Sequence, residues 1–389
     1  MRILEFIKQN CKNVEFKPLY ELTIWDKKFK GIPKEWQEKT IKFNHILSAD
    51  LKNLLCDDGD IFLLSTGNFS GYTNSEICKN FNQAEIIALP SGGFANIKYF
   101  NGKFIDSGNL LAISKDTSKV NLKFIFYYLQ SNLKIIEKMF RGAGIKHPEM
   151  SSILSIKIPV PSLEVQNKIV EVLDSFSSLV RSLVRSLVLE KTAREKQYKY
   201  YLNHLITNAR NSRIFKLGEV CEFVRGIRVT KKDLNNGKYL VYQNSLKPLG
   251  NYDKANCSAN STFIIVGGSA GSIGYSYDDF WAADDCFYCK TNENVINRFI
   301  YYILINKQNE LLSKVRKASV PRISRNDIEN IEIPLPPLDE QERIVRILDS
   351  LNELANGLSA GIPKEIELRQ KQYEYWRDRL LEFPSKDSK

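Results

Sequence analysis

The sequence predicts an α+β chain: two globular strand-rich domains separated by two long antiparallel connector helices, related by an internal pseudo-twofold repeat. Three observations carry this. The segment ILSIKIPVPSLEVQNKIVEVLDSFSSL around Ile153 returns as IENIEIPLPPLDEQERIVRILDSLNEL around Ile328. The shift is a constant 175 residues, from Ile158 to Ile333 and from Tyr198 to Tyr373. A fixed shift of that length marks a whole domain plus connector, duplicated once, and not a solenoid unit. Finally, no Pro or Gly occurs between Leu163 and Ile206, so the first connector reads as one helix. Two copies related by a twofold pack isologously, which sets the helices antiparallel.

The first domain spans residues 1–158. Its opening Phe16-Lys17-Pro18-Leu19 resembles Phe215-Lys216-Leu217-Gly218 of the second domain, residues 211–333. Glu85–Ser114 and Phe263–Lys290 each read as a short apolar strand, a Gly/Ser turn, a strand and another strand. Gly267, Gly268, Gly271 and Gly274 do not make a phosphate-binding loop, because no Lys-Ser or Lys-Thr follows and strands come next. They read as tight turns requiring positive φ. Val120–Tyr127 and Val295–Tyr302 align at the common shift and look like amphipathic helices. The proline stretches Pro159–Pro161 and Pro334–Pro337 read as hard stops between domain and connector, each followed by carboxylates that suit a helix N-terminus.

The first connector (159–210) carries an apolar stripe at Val165, Ile169, Val172, Phe176, Leu179, Leu183 and Leu187. At three-to-four spacing such a stripe packs on a partner. The helix would span roughly 65 Å at 1.5 Å per residue, too long to bury its stripe alone. The second connector (334–384) supplies Ile344, Ile347, Leu348, Leu351, Leu354 and Leu358. Gly361-Ile362-Pro363 predicts a break there, since Gly and Pro inside a helix cost about 1 and 3 kcal/mol. Helix would resume at Lys364 and run to about Glu382, with 385–389 a tail. Tyr198 and Tyr201 match Tyr373 and Trp376; these aromatics read equally as core or as a patch for a partner protein.

The chain has 389 residues and a net charge of +11, which admits nucleic acid or an acidic surface as partner. Seven cysteines at irregular spacing fit a reducing cytosol, and Cys286-Phe287-Tyr288-Cys289 reads as buried strand with no second ligand pair for a metal. Met1–Asn10 mixes Arg, Glu and Lys with apolar residues, unlike a secretory signal. No apolar run reaches the roughly 20 residues that span a bilayer. A cytoplasmic protein is expected.

At this point the residues resemble a known family. Strand–Gly-Ser-turn–strand at Val266–Tyr275, then Phe280-Trp281-Ala282-Ala283-Asp284, then Ile333-Pro334-Leu335-Pro336-Pro337-Leu338-Asp339-Glu340-Gln341 before a long helix, are similar to the specificity subunit of type I restriction–modification systems. Ile158–Gln166 repeats the junction, with Val165 where Glu340 stands. The resemblance covers nearly the whole chain and is weak over Met1–Gln83. It implies two target-recognition domains, each reading one half of a split double-stranded DNA site. It also implies that the connectors act as a spacer docking two modification (methyltransferase) subunits, with restriction/motor subunits joining through the complex. No cofactor, metal or membrane contact is implied.

Affinity for DNA comes from Lys and Arg on phosphates and specificity from side chains at base edges. The candidates in the first domain are Lys98, Arg141, Lys146 and His147 with the Ser91-Gly92-Gly93 turn. In the second they are Arg225, Arg228, Lys231, Lys232, Gln243, Asn244, Ser269, Arg316, Lys317, Arg322 and Arg325. Arg316–Arg325 matches Arg141–Met150 by position, and both are loop-like. The rival readings are a self-contained DNA methyltransferase or nuclease, and a coiled-coil scaffold without DNA binding. The first lacks an Asn/Asp-Pro-Pro-Tyr/Phe tetrapeptide, and three histidines give little acid–base material. The second leaves two large domains with basic loops unexplained. No catalytic residue is expected.

Overall fold

The computed structural model describes residues 2–11 and 13–384. The chain forms two compact units, Met1–Val184 with Glu365–Lys389, and Arg185–Lys364. Each holds one globular domain together with parts of both connector helices, which span Leu163–Thr207 and Leu338–Leu380.

In the first unit the strands are β1 (Glu15–Pro18), β2 (Thr23–Trp25), β3 (Ile61–Leu64), β4 (Ser70–Thr73), β5 (Asn82–Pro90), β6 (Lys98–Asp106), β7 (Asn109–Ser114), β8 (Phe140–Arg141), β9 (His147–Pro148) and β10 (Lys157–Val160). Six of them form one sheet in the order β2-β7-β5-β6-β3-β4. The run Ile86-Ile87-Ala88-Leu89 is wholly buried in β5, as a central strand covered on both faces requires. One of those faces is closed by the helix Leu122–Ser131, whose start Asn121 caps by accepting from the N–H groups of Lys123 and Phe124. An antiparallel ribbon of β1 with β10 ties the domain's entry to its exit, pairing Phe16 with Pro159.

The second unit contains β11 (Arg213–Lys216), β12 (Cys221–Arg225), β13 (Tyr239–Tyr242), β14 (Gly250–Tyr252), β15 (Ser261–Ile265), β16 (Ile273–Ser276), β17 (Phe280–Ala282), β18 (Cys286–Thr291) and β19 (Glu332–Leu335). The order β12-β18-β15-β16 repeats β2-β7-β5-β6, and β11 with β19 repeats the closing ribbon. Phe16 and Phe215 stand 199 residues apart, later equivalents 175; the first domain therefore carries 24 additional residues ahead of β5. The parallel pairing of β3 with β6 recurs as β13 with β17. What β6 does as one strand is divided here between β16 and β17 by Tyr277-Asp278-Asp279, which makes two sheets of one. Asp is a poor strand former, and the turn is held by Ser276 Oγ donating to the Asp278 carbonyl and by Asp279 accepting from the Ala259 N–H.

The proline stretches do more than stop. Pro159 and Pro334 lie inside β10 and β19, tolerated because these are two-stranded ribbons. Helix begins at Leu163 and Leu338, with Glu164 and with Asp339 and Glu340 in the first turns.

Within the first unit, Val165, Ile169, Val170 and Leu173 of the first connector share a core with Ile7, Phe124, Tyr127 and with Leu380 and Leu381, so the start of one helix meets the end of the other. Within the second unit, Leu202 and Ile206 meet Ile344 and Leu348. Four details of the expected helix packing are corrected. Leu179 (55% exposed) and Leu183 face solvent, while Leu173 and Val180 are buried; Val172, Phe176 and Leu187 are half-buried. The SLVRSLVRSLV run offers Leu and Val at every step, and a four-residue repeat drifts about 40° each time, so sequence spacing alone does not choose between them. On the second connector Ile347 and Leu351 are half-buried, but Leu354 is 61% exposed. The three-to-four spacing runs on past Leu348, where this stripe's buried contacts with the second unit's core end. The Leu358 side chain lies outside the described residues. The expected break is also absent: helix runs unbroken from Leu338 to Leu380 with Pro363 inside it. Ile362 beside it is buried, and the helix continues although a proline there removes one backbone hydrogen bond. The 385–389 tail lies outside the described residues. Cys286 and Cys289 are both buried but in different core clusters, on opposite faces of β18, so they do not converge on a metal.

The repeat reappears as two polar latches between domain and helix. Gln166 donates to the carbonyls of Lys119 and Pro161 and accepts from the Asn121 N–H. Gln341 does the same with Asn294, Pro336 and Ile296. Farther along, Lys123 and Tyr127 bind Asp174, and Arg298 and Tyr302 bind Asp349. Arg298, only 8% exposed, lies over the rings of Tyr275, Tyr277, Tyr301 and Tyr302. Tyr198 joins the second latch: burial pushes its phenol up to about 12. In the first, Tyr373 packs beside Phe176 with ring centroids 5.7 Å apart. These two tyrosines therefore serve the core and not an open partner patch; Tyr201 and Trp376 remain exposed.

Candidate nucleic-acid interface

The first domain brings its predicted turn and predicted loop together. At the end of β5 the Ser91-Gly92-Gly93 turn meets the β8–β9 hairpin: the Gly93 N–H donates to the Lys146 carbonyl at 2.8 Å, and His147 Nδ1 lies 2.8 Å from the Ser91 carbonyl oxygen. Gly93 has φ +101°, a conformation that favours glycine. A Cβ on Gly92 would come within 3.1 Å of the His147 ring. Arg141, Lys146 and His147 are all exposed, and Arg141 is held by Glu149 at 3.1 Å.

The second domain builds the same object 175 residues on. The Gly268 N–H donates to the Pro321 carbonyl at 3.0 Å, and Arg316 pairs with Arg322 across the loop as Arg141 pairs with His147. Gly268 has φ +83°, and a Cβ on Gly267 would lie 2.6 Å from the Asp285 carboxylate. More side chains converge here. The Ser269 N–H donates to the Asn244 carbonyl at 2.9 Å. Arg225 Nε donates to the Asp284 carbonyl at 3.0 Å and Gln243 Nε2 to the Asp284 carboxylate at 3.3 Å. Arg322 pairs with Asp285 at 3.1 Å. An arginine carries five N–H donors, so one carboxylate orients the fork without exhausting it. Arg225, Gln243, Asn244, Ser269, Arg316 and Arg322 thus belong to one cluster, with Lys317 exposed beside it.

Five candidates stand apart. Arg228, Lys231 and Lys232 are exposed on the connection after β12, outside the contacts that knit the cluster. Arg325 stands on the short helix Arg325–Glu329 that follows the loop, its Nε paired with Glu329 at 2.6 Å. Lys98 is a correction: its ammonium turns inward to the carbonyls of Ser65 and Gly67, and burial lowers its pKa. It braces the loop after β3 instead of facing outward, because a long side chain on a sheet can snorkel to any carbonyl at the strand end.

The cluster occurs twice, and so does the family match. The model of the type I restriction modification DNA specificity domain matches residues 33–185 and again 210–368. The chain belongs to this DNA specificity family. The specificity subunit of the Escherichia coli type I restriction enzyme EcoR124I/EcoR124II is 28% identical over 96% of each chain. A putative specificity subunit of Haemophilus influenzae is 25% identical over 93% of this chain and 98% of that one. Among solved structures, the type I restriction-modification S subunit from M. genitalium covers 96% of each chain with a TM-score of 0.56 at 19% identity. A chain from a study of type I complex assembly and conformational transition covers 95% of this chain and 98% of its own, with a TM-score of 0.65 at 17% identity. These two share the fold. Among the described residues no helix is long and apolar enough to cross a membrane.

Sequence reasoning about this specificity-family chain missed the apolar tips of both clusters. Phe94 is 89% exposed and Ile145 70% exposed, and Val320, the equivalent of Ile145, is exposed too. The available signal was a large apolar residue straight after Gly-Gly, which in one dimension reads as the start of the next strand.

Proposed function

We propose that the chain is the non-catalytic specificity subunit of a type I restriction–modification complex, and that each domain reads one half of a bipartite double-stranded DNA target. Partner subunits then methylate adenine, and motor subunits restrict unmodified DNA. The observation that carries this is the two-loop cluster built twice on one backbone plan with different side chains: Ser91, Lys146 and His147 in one copy, Arg225, Asn244, Ser269 and Arg322 in the other. A shared scaffold with divergent tips suits two different half-sites. Exposed Lys and Arg would supply a salt-dependent phosphate term, and the oriented Arg225 and Arg322 suit the bidentate pairing with guanine that arginine makes in the major groove. Tyr201 and Trp376 are proposed contacts for two modification subunits, and the cytoplasm is the proposed location. In cells carrying those subunits, mapping of methylated adenine should return a motif of two short specified stretches separated by unread positions. A single contiguous motif would rule out the one-domain, one-half assignment.

A further inference from the structure

The tips of the two clusters differ in one respect that points to how the first half-site is read. The Gly93–Lys146 hydrogen bond pins the turn to the hairpin, and Phe94 and Ile145 each lie one residue from it. Both are among the exposed large apolar side chains, at 89% and 70%. An apolar pair held out on a braced loop is a cost unless something covers it. The braced geometry argues against accident: Gly93 holds φ +101° and Gly92 leaves room for His147 and Ile145. The rim is cationic, with Arg141 and Lys146 exposed around the tip. That rim matches a polyanion better than the apolar face of a protein partner. In the second domain the residue equivalent to Phe94 is Ser269, placed by its bond to Asn244, and the apolar tip is reduced to Val320.

We propose that Phe94, supported by Ile145, is an apolar wedge that packs against a base face at an opened step in the half-site read by the first domain. This rests on the DNA-reading role proposed above. Apolar wedges open base steps with the cost of unstacking offset by new contact, and pyrimidine–purine steps open most easily. The first half-site should therefore require such a step at a position specified by deformability, while the second is read through hydrogen bonds.

The test uses the full complex with its modification subunits and duplexes carrying the mapped motif. 2-Aminopurine replaces, in turn, each adenine in and flanking the first half-site, the methylated adenine excepted, so that pairing with thymine is kept. The unaltered complex should raise fluorescence at one step. Phe94→Ala should abolish that rise and weaken binding about tenfold, as expected for loss of one base–aromatic contact. The salt slope should stay the same, because phenylalanine neutralises no phosphate. Phe94→Trp should retain both signals, and unchanged thermal unfolding would show that the exposed substitution leaves the fold intact. Unchanged affinity and fluorescence in Phe94→Ala would overturn the wedge. So would loss of modification-subunit retention in the absence of DNA, which would make the tip a protein contact. Failure of the unaltered complex to bind the duplex at all would instead sink the DNA-reading role itself.

Discussion

Replacing residues 211–333 with the corresponding domain of another specificity subunit should change one half of the methylated motif and leave the other half as it was. The fold makes this exchange feasible. The chain enters and leaves the second domain through one antiparallel ribbon, with Arg213 opposite Leu335 and Phe215 opposite Ile333, so both junctions of a graft fall on one strand pair, and the incoming domain must pack on Leu202, Ile206, Ile344 and Leu348 as this one does. The incoming domain must keep an arginine and a tyrosine where Arg298 and Tyr302 stand, since these hold Asp349 of the connector. The expected effect is large. Each mismatched base pair costs about 1–3 kcal/mol, so exchange of a whole half-site changes preference by several orders of magnitude. A motif altered in both halves would mean that the domains do not read independently; an unaltered motif would place recognition outside residues 211–333. Sequencing methylated genomes from the two strains decides between these outcomes.

Asp349→Ala should be the most damaging single substitution at the domain–helix latches. It removes the carboxylate partner of Arg298, whose side chain is 9% exposed, and leaves the Tyr302 hydroxyl without its acceptor. Removing one member of a buried pair costs about 3–5 kcal/mol, and the lower end applies because Asp349 itself is more than a third exposed. The equivalent Asp174→Ala in the first unit should cost only about 1 kcal/mol. There the Tyr127 hydroxyl likewise loses its acceptor, but the ionic partner is Lys123, whose side chain is 27% exposed and can find water. Urea denaturation of the two variants checks the contrast. Equal losses would mean that the ring of tyrosines around Arg298 does not make the second latch a stronger one.

Much of this architecture was legible in the sequence, for a definite reason. The constant 175-residue shift falls where both copies make the same contacts: Gln166 and Gln341 at the junctions, Asp174 and Asp349 on the helices, Gly93 and Gly268 at the tips. Identical contacts demand identical residue types, and those show in one dimension. Other features depend on three-dimensional neighbours. Leu179 and Val180 are both apolar, and only packing reveals which is buried. Gly361-Ile362-Pro363 has the local chemistry of a break, yet the helix runs through it with Ile362 buried. Lys98 looks like any other basic residue beside a Gly turn until the carbonyls of Ser65 and Gly67 come within reach. Tyr198 and Tyr373 match by position, but their role became clear only when each fell among residues of a latch.

The central claim, that the same two-loop cluster in each domain faces a different half of one DNA site, has a direct test. A photo-crosslinking residue is placed at position 145 in one variant and at the equivalent position 320 in another, and each assembled complex is irradiated with an end-labelled duplex carrying the motif. Crosslinks from position 145 should map to one half-site and those from position 320 to the other. Crosslinks from both positions to the same half, or from neither to the duplex, would contradict it.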